Sequence, residues 1–204
     1  MFDIESVTLS LNCHQPSFEP SEVEPMKHAA VSIVLAGGAD DLSICFIKRA
    51  SHPLDPWSGQ MALPGGRASA EDPSLRAVAV RETFEEVGLS LRDEHGIGVL
   101  SEMQIGRHRR RNLGVLSPFV FYMPGPPAPF VPDAAEVAAA FWIPVAHLWN
   151  PASMDTIEYE GTHWPGIGYA GEIIWGLTLR VMQSFGSVIG RPLPNWNPNG
   201  IKFD

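Results

Sequence analysis

Three glutamates, Glu82, Glu85 and Glu86, lie close together just before Gly88. Residues three and four apart are neighbours on a helix, where like charges destabilise by roughly 0.2–0.5 kcal/mol a pair. A hard divalent cation with oxygen ligands turns this repulsion into attraction. Arg81, four residues before Glu85, can neutralise and orient one carboxylate. Because the run follows a Pro-Gly-Gly turn at helix-loop distance, the pattern favours a metal site over a solvated acidic face.

The helix that must position these glutamates is predicted to begin at Asp72 and Pro73. Asp accepts hydrogen bonds from N–H groups at a helix start, and Pro at the first position lacks an N–H that would have no partner. Gly88 is a natural left-handed stop, so the helix is expected to reach Val87. The glutamates should face away from one apolar stripe. That stripe consists of Ala77, Val80, Phe84 and Val87.

This stretch resembles the Nudix box, the signature of a family of hydrolases. Two departures are visible. Five residues separate Gly66 from Asp72 and eight separate Asp72 from Arg81, so the loop is one residue longer than the family pattern. Asp72 replaces the first acid of the box, or that acid is absent if Pro73 is the aligned position. Thr83 stands where an aliphatic residue is usual. The matching residues are Arg81, Glu82, Glu85, Glu86, Gly88 and Leu89.

The resemblance implies an α/β protein with the Nudix fold, an α/β/α sandwich with a mixed sheet. It implies that Glu82, Glu85 and Glu86 hold Mg²⁺ or Mn²⁺, which bridges a diphosphate and activates water. The implied reaction is hydrolysis of a nucleoside diphosphate linked to another group. Such chemistry depends mainly on positioning and electrostatics. Glu82 and Glu136 are candidates for the general base, and Arg81 completes the predicted catalytic set.

The segment 46–66 resembles the motif that precedes the Nudix box in coenzyme A pyrophosphatases. Arg49, Gly65 and Gly66 would then bind the substrate, and Trp57 either stacks on a base or packs within its loop. Coenzyme A would be cut to 3′,5′-ADP and 4′-phosphopantetheine. A later arginine of that motif has no counterpart here, which favours ADP-ribose or a nucleotide sugar as the alternative substrate. The matching residues are Arg49, Ala50, Gly59, Pro64, Gly65 and Gly66.

Two further features are candidates for the site. Arg107, Arg109, Arg110 and Arg111 lie within five residues of a chain that has 14 Lys and Arg in all. Arginine forks bind phosphate oxygens, so the cluster either recognises substrate phosphate or is a solvated loop between strands. Glu136 stands before a Trp-x-Pro pattern that recurs in Nudix domains. It either supplies a further ligand or base, or is a surface glutamate.

Composition limits the classes of partner. The chain has 204 residues, 45% apolar content and a formal net charge of −9, which argues against general nucleic-acid binding. No apolar run approaches the ~20 residues that span a bilayer. The acidic start of the chain does not resemble a targeting peptide, and the two cysteines suit a reducing compartment. We therefore expect a cytoplasmic protein with a small-molecule nucleoside diphosphate substrate, no membrane partner and a possible homodimer.

The chain is predicted to form one domain, residues 28–185, with an accessory segment 1–27 and a Pro/Asn-rich tail 186–204. Segment 1–27 should begin with a short amphipathic helix, and 115–122 should form a strand interrupted at Pro118. A terminal helix is expected to open at Glu172, with a stripe of Ile174, Leu177, Val181 and Phe185. A non-catalytic nucleotide-binding module is the alternative of another class. Loss of a box glutamate would favour it, and all three are present.

Overall fold

The computed structural model describes residues 2–18, 28–38, 41–52, 57–107, 110–125, 127–128, 130 and 132–194, and only the backbone at 106–107 and 110–113. The described chain forms four α-helices and eleven strands. The helices are α1 (Ile4–Cys13), α2 (Leu75–Val87), α3 (Val145–Leu148) and α4 (Gly176–Val188). The strands are β1 (His28–Gly37), β2 (Ser43–Arg49), β3 (Met61–Ala62), β4 (Gly65–Arg67), β5 (Gly96–Val99), β6 (Met103–Arg107), β7 (Arg110–Pro124), β8 (Val137–Pro144), β9 (Met154–Tyr159), β10 (Thr162–Tyr169) and β11 (Glu172–Trp175).

Eight of these strands form one mixed sheet in the order β3-β2-β1-β7-β5, with β8 on β2, β4 on β1 and β6 on β7. The pair β1–β7 is parallel, and the other pairs are antiparallel. β1 and β2 pair near their turn, at Leu35–Ile44. Further along, β4 pairs with β1 and β3 pairs with β2. The two strands therefore diverge away from their turn, and the Pro-Gly-Gly turn that joins β3 to β4 lies between them.

The residues of β1 alternate between two cores because successive side chains of a strand point to opposite faces. Ile33 and Leu35 join a cluster that includes residues of α1, α3 and α4. Ala30 and Val34 join a second cluster with α2. Helices therefore cover both faces of the mixed sheet, and the predicted α/β/α sandwich is confirmed. Within the described residues, no helix has both the length and the apolar character to span a membrane.

The N-terminal helix packs on β5. Asp3 caps α1 by accepting hydrogen bonds from the N–H groups of Glu5 and Ser6, and Val7 and Leu11 are buried. A Cβ at Gly98 would lie 2.8 Å from the Cβ of Leu11, so the absence of a side chain on β5 makes room for the helix. The predicted amphipathic helix is confirmed.

Two predictions for the later part of the chain are wrong. The segment Glu172–Trp175 is strand β11, and α4 begins at Gly176. The apolar stripe mixed two elements, because Ile174 reaches the core by pairing with Ile167 of β10, whereas Val181 and Phe185 reach it from the helix. Strand β7 is not interrupted at Pro118, whose carbonyl accepts a hydrogen bond from the N–H of Leu100 at 3.0 Å.

Candidate metal centre

Helix α2 begins later than the sequence suggested. Its cap is Ser74, whose hydroxyl accepts a hydrogen bond from the N–H of Ala77 at 3.1 Å, so the predicted start at Asp72 and Pro73 is wrong. The predicted end is confirmed: Gly88 has a φ of +73° and its N–H donates to the carbonyl of Phe84. Asp72 lies in the preceding loop, where it has a different partner.

The buried face of α2 also differs from the predicted stripe. Phe84 is 57% exposed, whereas Glu86 is only 2% exposed. The helix is rotated so that a threonine and a glutamate face the sheet. A buried carboxylate is costly unless it is protonated, hydrogen-bonded or coordinated to a metal, so the burial of Glu86 singles it out as a candidate site residue. The buried residues of the helix are Val78, Ala79, Thr83, Glu86 and Val87.

Three carboxylates meet beside the Pro-Gly-Gly turn. Each of Glu82, Glu86 and Glu136 has an oxygen within 4.8 Å of those of the other two, and within the described ranges no other group of three metal-ligating side chains was found. The N–H of Gly65 donates to Oε2 of Glu86 at 2.8 Å. The pKa of Glu86 is raised to about 8, chiefly by burial; the charges of Glu82 and Glu136 also raise it, whereas the N–H of Gly65 and the charge of Arg49 lower it.

The two glycines of the turn are required by close approach. Gly65 has a φ of +153°, and a Cβ there would lie 2.2 Å from the carbonyl oxygen of Ala30 on β1. A Cβ at Gly66 would lie 2.3 Å from the Cδ of Glu82. Side chains at either position would therefore displace the turn or the carboxylate.

Burial also raises the pKa of Glu82, although the hydrogen bond from Arg81 opposes that effect.

Arg81 holds three acidic side chains around the helix. Its Nε and one terminal nitrogen donate to the two carboxylate oxygens of Asp72 at 2.9 and 3.0 Å. The other terminal nitrogen donates to Glu82 at 2.9 Å and to Glu85 at 2.8 Å. The hydrogen bonds from Arg81, followed by that from the N–H of Ser69, hold the pKa of Asp72 well below its usual range. Arg81 therefore orients acids rather than presenting a free cation to a substrate.

Glu85 is not part of the three-carboxylate cluster. Its side chain is 51% exposed and accepts the hydrogen bond from Arg81. The structure thus brings together two of the three predicted box ligands, Glu82 and Glu86, and adds Glu136 to them. A ligand role for Glu85 stays a prediction, and it would require the side chain to leave Arg81.

Glu136 reaches the cluster from the loop before β8. The N–H of Asp133 donates to the carbonyl of Glu86 at 3.2 Å, which ties this loop to the end of α2. The N–H of Ala50 donates to the carbonyl of Glu136 at 2.8 Å, and the side chain of Asp133 accepts from the N–H of Ala135. These bonds hold the exposed Glu136 beside the buried Glu86. The sequence pattern singled out Glu136 but gave no indication of Asp133.

The predicted substrate-binding residues are less fully described. Arg49 ends β2 and pairs with Val137, the residue after Glu136, which places its backbone near the carboxylates. Its charge lowers the pKa of Glu86. Trp57 is half-buried in the loop before β3. Arg107 and Arg110 pair across the β6–β7 hairpin. Arg109 lies outside the described residues, as do the side chains of Arg107, Arg110 and Arg111, so the phosphate role of this cluster stays a prediction.

The donor set fits a hard divalent cation. Three carboxylates this close repel one another, and Mg²⁺ and Mn²⁺ prefer such oxygen ligands. The protonated state of Glu86 that burial favours is the alternative to a bound cation, because either one removes the uncompensated buried charge. Glu82, Glu86 and Glu136 are therefore the residues that would hold the metal.

Comparisons with known proteins agree with this fold. A family model described as the NUDIX domain matches residues 26–164. An uncharacterised protein of Schizosaccharomyces pombe is 39% identical over 122 residues, which are 58% of this chain and 37% of that protein's length. The uncharacterised Nudix hydrolase NudL of Yersinia pestis is 31% identical over 150 residues, 69% of each chain.

The fold is also found in a solved structure. A MutT/nudix family protein from Enterococcus faecalis superposes with a TM-score of 0.55 at 19% identity, covering 89% of this chain and 68% of that one. This likeness concerns the fold alone, whereas the family match and the NudL relative extend to the sequence. The predicted enzyme class, a Nudix hydrolase, is confirmed by these matches. The chain belongs to the Nudix family.

Proposed function

We propose that this protein is a metal-dependent pyrophosphohydrolase that cleaves a nucleoside diphosphate derivative, with coenzyme A or one of its derivatives as the substrate. The observation that carries the proposal is the meeting of Glu82, Glu86 and Glu136 within 4.8 Å beside the Gly65–Gly66 turn. Such a cluster suits a site in which charge neutralisation and positioning provide most of the catalysis.

Each carboxylate has a distinct part in this proposal. Glu86, buried and fixed by the N–H of Gly65, is the anchor of the metal site. Glu82 and Glu136 complete the ligand set, and either one is placed to accept a proton from an attacking water. When bound, Mg²⁺ or Mn²⁺ would neutralise charge on the diphosphate oxygens and acidify water. Arg81 keeps Glu82 oriented through their 2.9 Å contact.

The diphosphate also needs cations from the protein. Arg49 stands beside the carboxylates at the end of β2 and can donate to a phosphate oxygen. The hairpin that carries Arg107 and Arg110 adds positive charge to a chain of net charge −9. Local cations of this kind offset the negative field that would otherwise repel a polyphosphate.

Coenzyme A is proposed because of the motif that precedes the box. Arg49, Gly65 and Gly66 of that motif lie at the carboxylate cluster, which supports a role in substrate recognition. Coenzyme A carries a 3′-phosphate that ADP-ribose and nucleotide sugars lack, so its recognition benefits from an additional cation. Arg110 and Arg111 are candidates for that contact. ADP-ribose or a nucleotide sugar is the second candidate class, favoured by the missing upstream arginine.

A substrate panel tests this proposal. Coenzyme A, 3′-dephospho-coenzyme A, ADP-ribose and nucleotide sugars are incubated with Mg²⁺ or Mn²⁺, and the products are identified by mass. We expect coenzyme A to have a kcat/KM at least roughly tenfold above that of the dephospho form, the ~1.4 kcal/mol of one charge-assisted contact. Faster cleavage of ADP-ribose would assign the second class. Metal-dependent cleavage of none of them would overturn the proposal.

A further inference from the structure

A pair of buried hydroxyls lies between the central strand and the helix of the metal site. Ser32 of β1 and Thr83 of α2 are both fully buried. The hydroxyl of Thr83 donates to that of Ser32 at 2.8 Å, and the hydroxyl of Ser32 donates to the carbonyl of Ala79 at 3.0 Å. Thr83 also lies 2.7 Å from the same carbonyl. This polar contact lies on the face of α2 that also buries Glu86, at the position where Nudix boxes usually have an aliphatic residue.

We propose that Ser32 and Thr83 are positioning residues that fix the rotation and height of α2 over the sheet, and thereby the geometry of the metal-binding carboxylates. The inference rests on the proposed role of Glu82 and Glu86 as metal ligands. It adds to that role two residues that touch neither metal nor substrate.

Ser32 is connected to both halves of the site. Its side chain bonds to α2, while its backbone N–H donates to the carbonyl of Pro64 at 2.8 Å. The neighbouring Val31 pairs with Gly65, whose N–H binds Glu86. Ser32 therefore connects both α2 and the Pro-Gly-Gly turn to the same point on β1.

Thr83 stands directly after Glu82 and three residues before Glu86, so any movement of its contact is passed on to both carboxylates. The tolerance for such movement is small, because Glu82 lies so close to Gly66 that a Cβ there would be 2.3 Å from its carboxylate carbon. A hydrogen bond has a preferred distance and direction, whereas an aliphatic contact permits sliding and rotation. The hydroxyl pair therefore restrains the rotation and height of α2 over the sheet, which apolar packing alone would leave adjustable.

The test is a double-mutant cycle with Ser32→Ala, Thr83→Val and the combined variant. Mn²⁺ affinity is measured by titration, and the melting temperature is measured without metal. Each single change breaks the hydroxyl–hydroxyl bond and leaves the remaining hydroxyl with the carbonyl of Ala79 alone. Both should therefore lower the melting temperature and weaken Mn²⁺ binding by about tenfold, as loss of a supporting contact around ligands does. The combined variant replaces both hydroxyls by apolar groups, which is nearly neutral in a buried site, so it should regain most of the melting temperature that the single changes remove.

The two explanations differ in the combined variant. If the pair positions the carboxylates, Mn²⁺ affinity stays about tenfold below wild type although the melting temperature returns. Recovery of affinity together with the melting temperature would show a merely structural pair and overturn the inference. Thr83→Ser, which keeps the hydroxyl, should keep wild-type affinity. If a single variant does not fold, the combined variant alone decides the outcome, since wild-type affinity there also overturns it.

Two controls keep this result separate from the proposed function. Ser117→Ala removes another buried serine hydroxyl, whose partner is Glu102 rather than α2, and should leave Mn²⁺ affinity unchanged. Glu86→Gln should abolish tight binding. If wild-type protein itself fails to bind Mn²⁺, the proposed metal function is wrong. If wild-type protein binds and every hydroxyl variant binds equally well, only the positioning inference is wrong.

Discussion

The carboxylate of Glu82 lies directly against the backbone of Gly66, with space for a hydrogen there and no space for a methyl group. This contact joins the helix of the box to the turn that precedes it. It follows that the second glycine of the turn is required by the carboxylate of Glu82 and not only by a bend in the chain.

Gly66→Ala should therefore impair metal binding. A Cβ 2.3 Å from the Cδ of Glu82 forces the carboxylate or the turn to move. We expect Mn²⁺ affinity to fall at least about tenfold, measured by titration. Gly190→Asn is the matched control, because that glycine has a φ of +67° with open space around a Cβ, and asparagine tolerates this conformation. Equal affinity of Gly66→Ala and wild type would contradict the contact.

The metal-free protein should lose stability as the pH rises. Glu86 has a folded-state pKa raised to about 8, against 4.5 for an ordinary glutamate. Its protonated form is favoured in the folded state, so its contribution is complete below about pH 4.5 and is lost as the pH rises through about 8. The slope reaches at most about 1.4 kcal/mol per pH unit. Denaturation in chelator between pH 5.5 and 8.5 measures it.

Glu86→Gln is the control for this pH dependence. Glutamine does not titrate, so the loss of stability with rising pH should be smaller in the variant. At pH 8, Mg²⁺ should raise the stability of the wild type but not that of the variant. Asp72, whose pKa is lowered, contributes stability that is lost only as the pH falls below its unfolded value, outside this window. Identical slopes for wild type and variant would contradict the assignment to Glu86.

Glu85 and Glu86 should differ in their effects. Glu86 is 2% exposed, so water cannot easily replace its carboxylate, and Glu86→Gln should abolish tight Mn²⁺ binding and lower turnover by at least about a hundredfold. Glu85 is half-exposed on Arg81, so Glu85→Gln should lower turnover with a smaller loss of affinity. Affinity and kcat measured separately distinguish the two. Near-normal turnover in Glu86→Gln would refute the site.

The arginine hairpin is tested through KM. If Arg110 and Arg111 bind substrate phosphate, alanine at either position should raise KM by roughly tenfold while kcat changes little. Added salt should raise the KM of the wild type more than that of the variants. Arg180→Ala, an exposed arginine of α4, is a control for lost surface charge. An unchanged KM in Arg110→Ala and Arg111→Ala would favour the alternative interpretation, a solvated loop with no role in phosphate binding.

Helix α2 shows which features could be predicted from the sequence alone: its end was predicted correctly, and its start and buried face were not. Gly88 stops the helix as its type predicts, since only its backbone conformation matters. The start moved from Asp72 to Ser74 because a tertiary partner, Arg81, takes the carboxylate that could have capped the helix. Hydrophobic periodicity placed Phe84 inside and Glu86 outside, because it takes no account of tertiary hydrogen bonds such as the one that the N–H of Gly65 donates to the buried Glu86.

The residues that position the site left only partial signals in the sequence. Glu136 could be found from its Trp-x-Pro context, but the hydrogen bonds of Asp133 that hold it depend on a loop geometry with no sequence signature. Ser32 left one weak signal, a polar residue in the apolar run of β1, which becomes meaningful only beside the unusual Thr83. At Glu172–Trp175, strand and helix share one apolar pattern, and short runs of that kind do not distinguish them.

The separate anchoring of β4 and α2 on β1 has a consequence for how this chain can change. Gly65 and Gly66 are held by the ladder with Val31 and Ala30, and the hydroxyl of Ser32 bonds to the carbonyl of Ala79 on α2. From the segment between them, Ser74 caps the helix and Asp72 bonds to Arg81. The loop that is one residue longer than the family pattern spans two fixed points. We expect an extra residue among the exposed positions 69–71 to lengthen this loop without moving Gly65, Gly66 or Ser74.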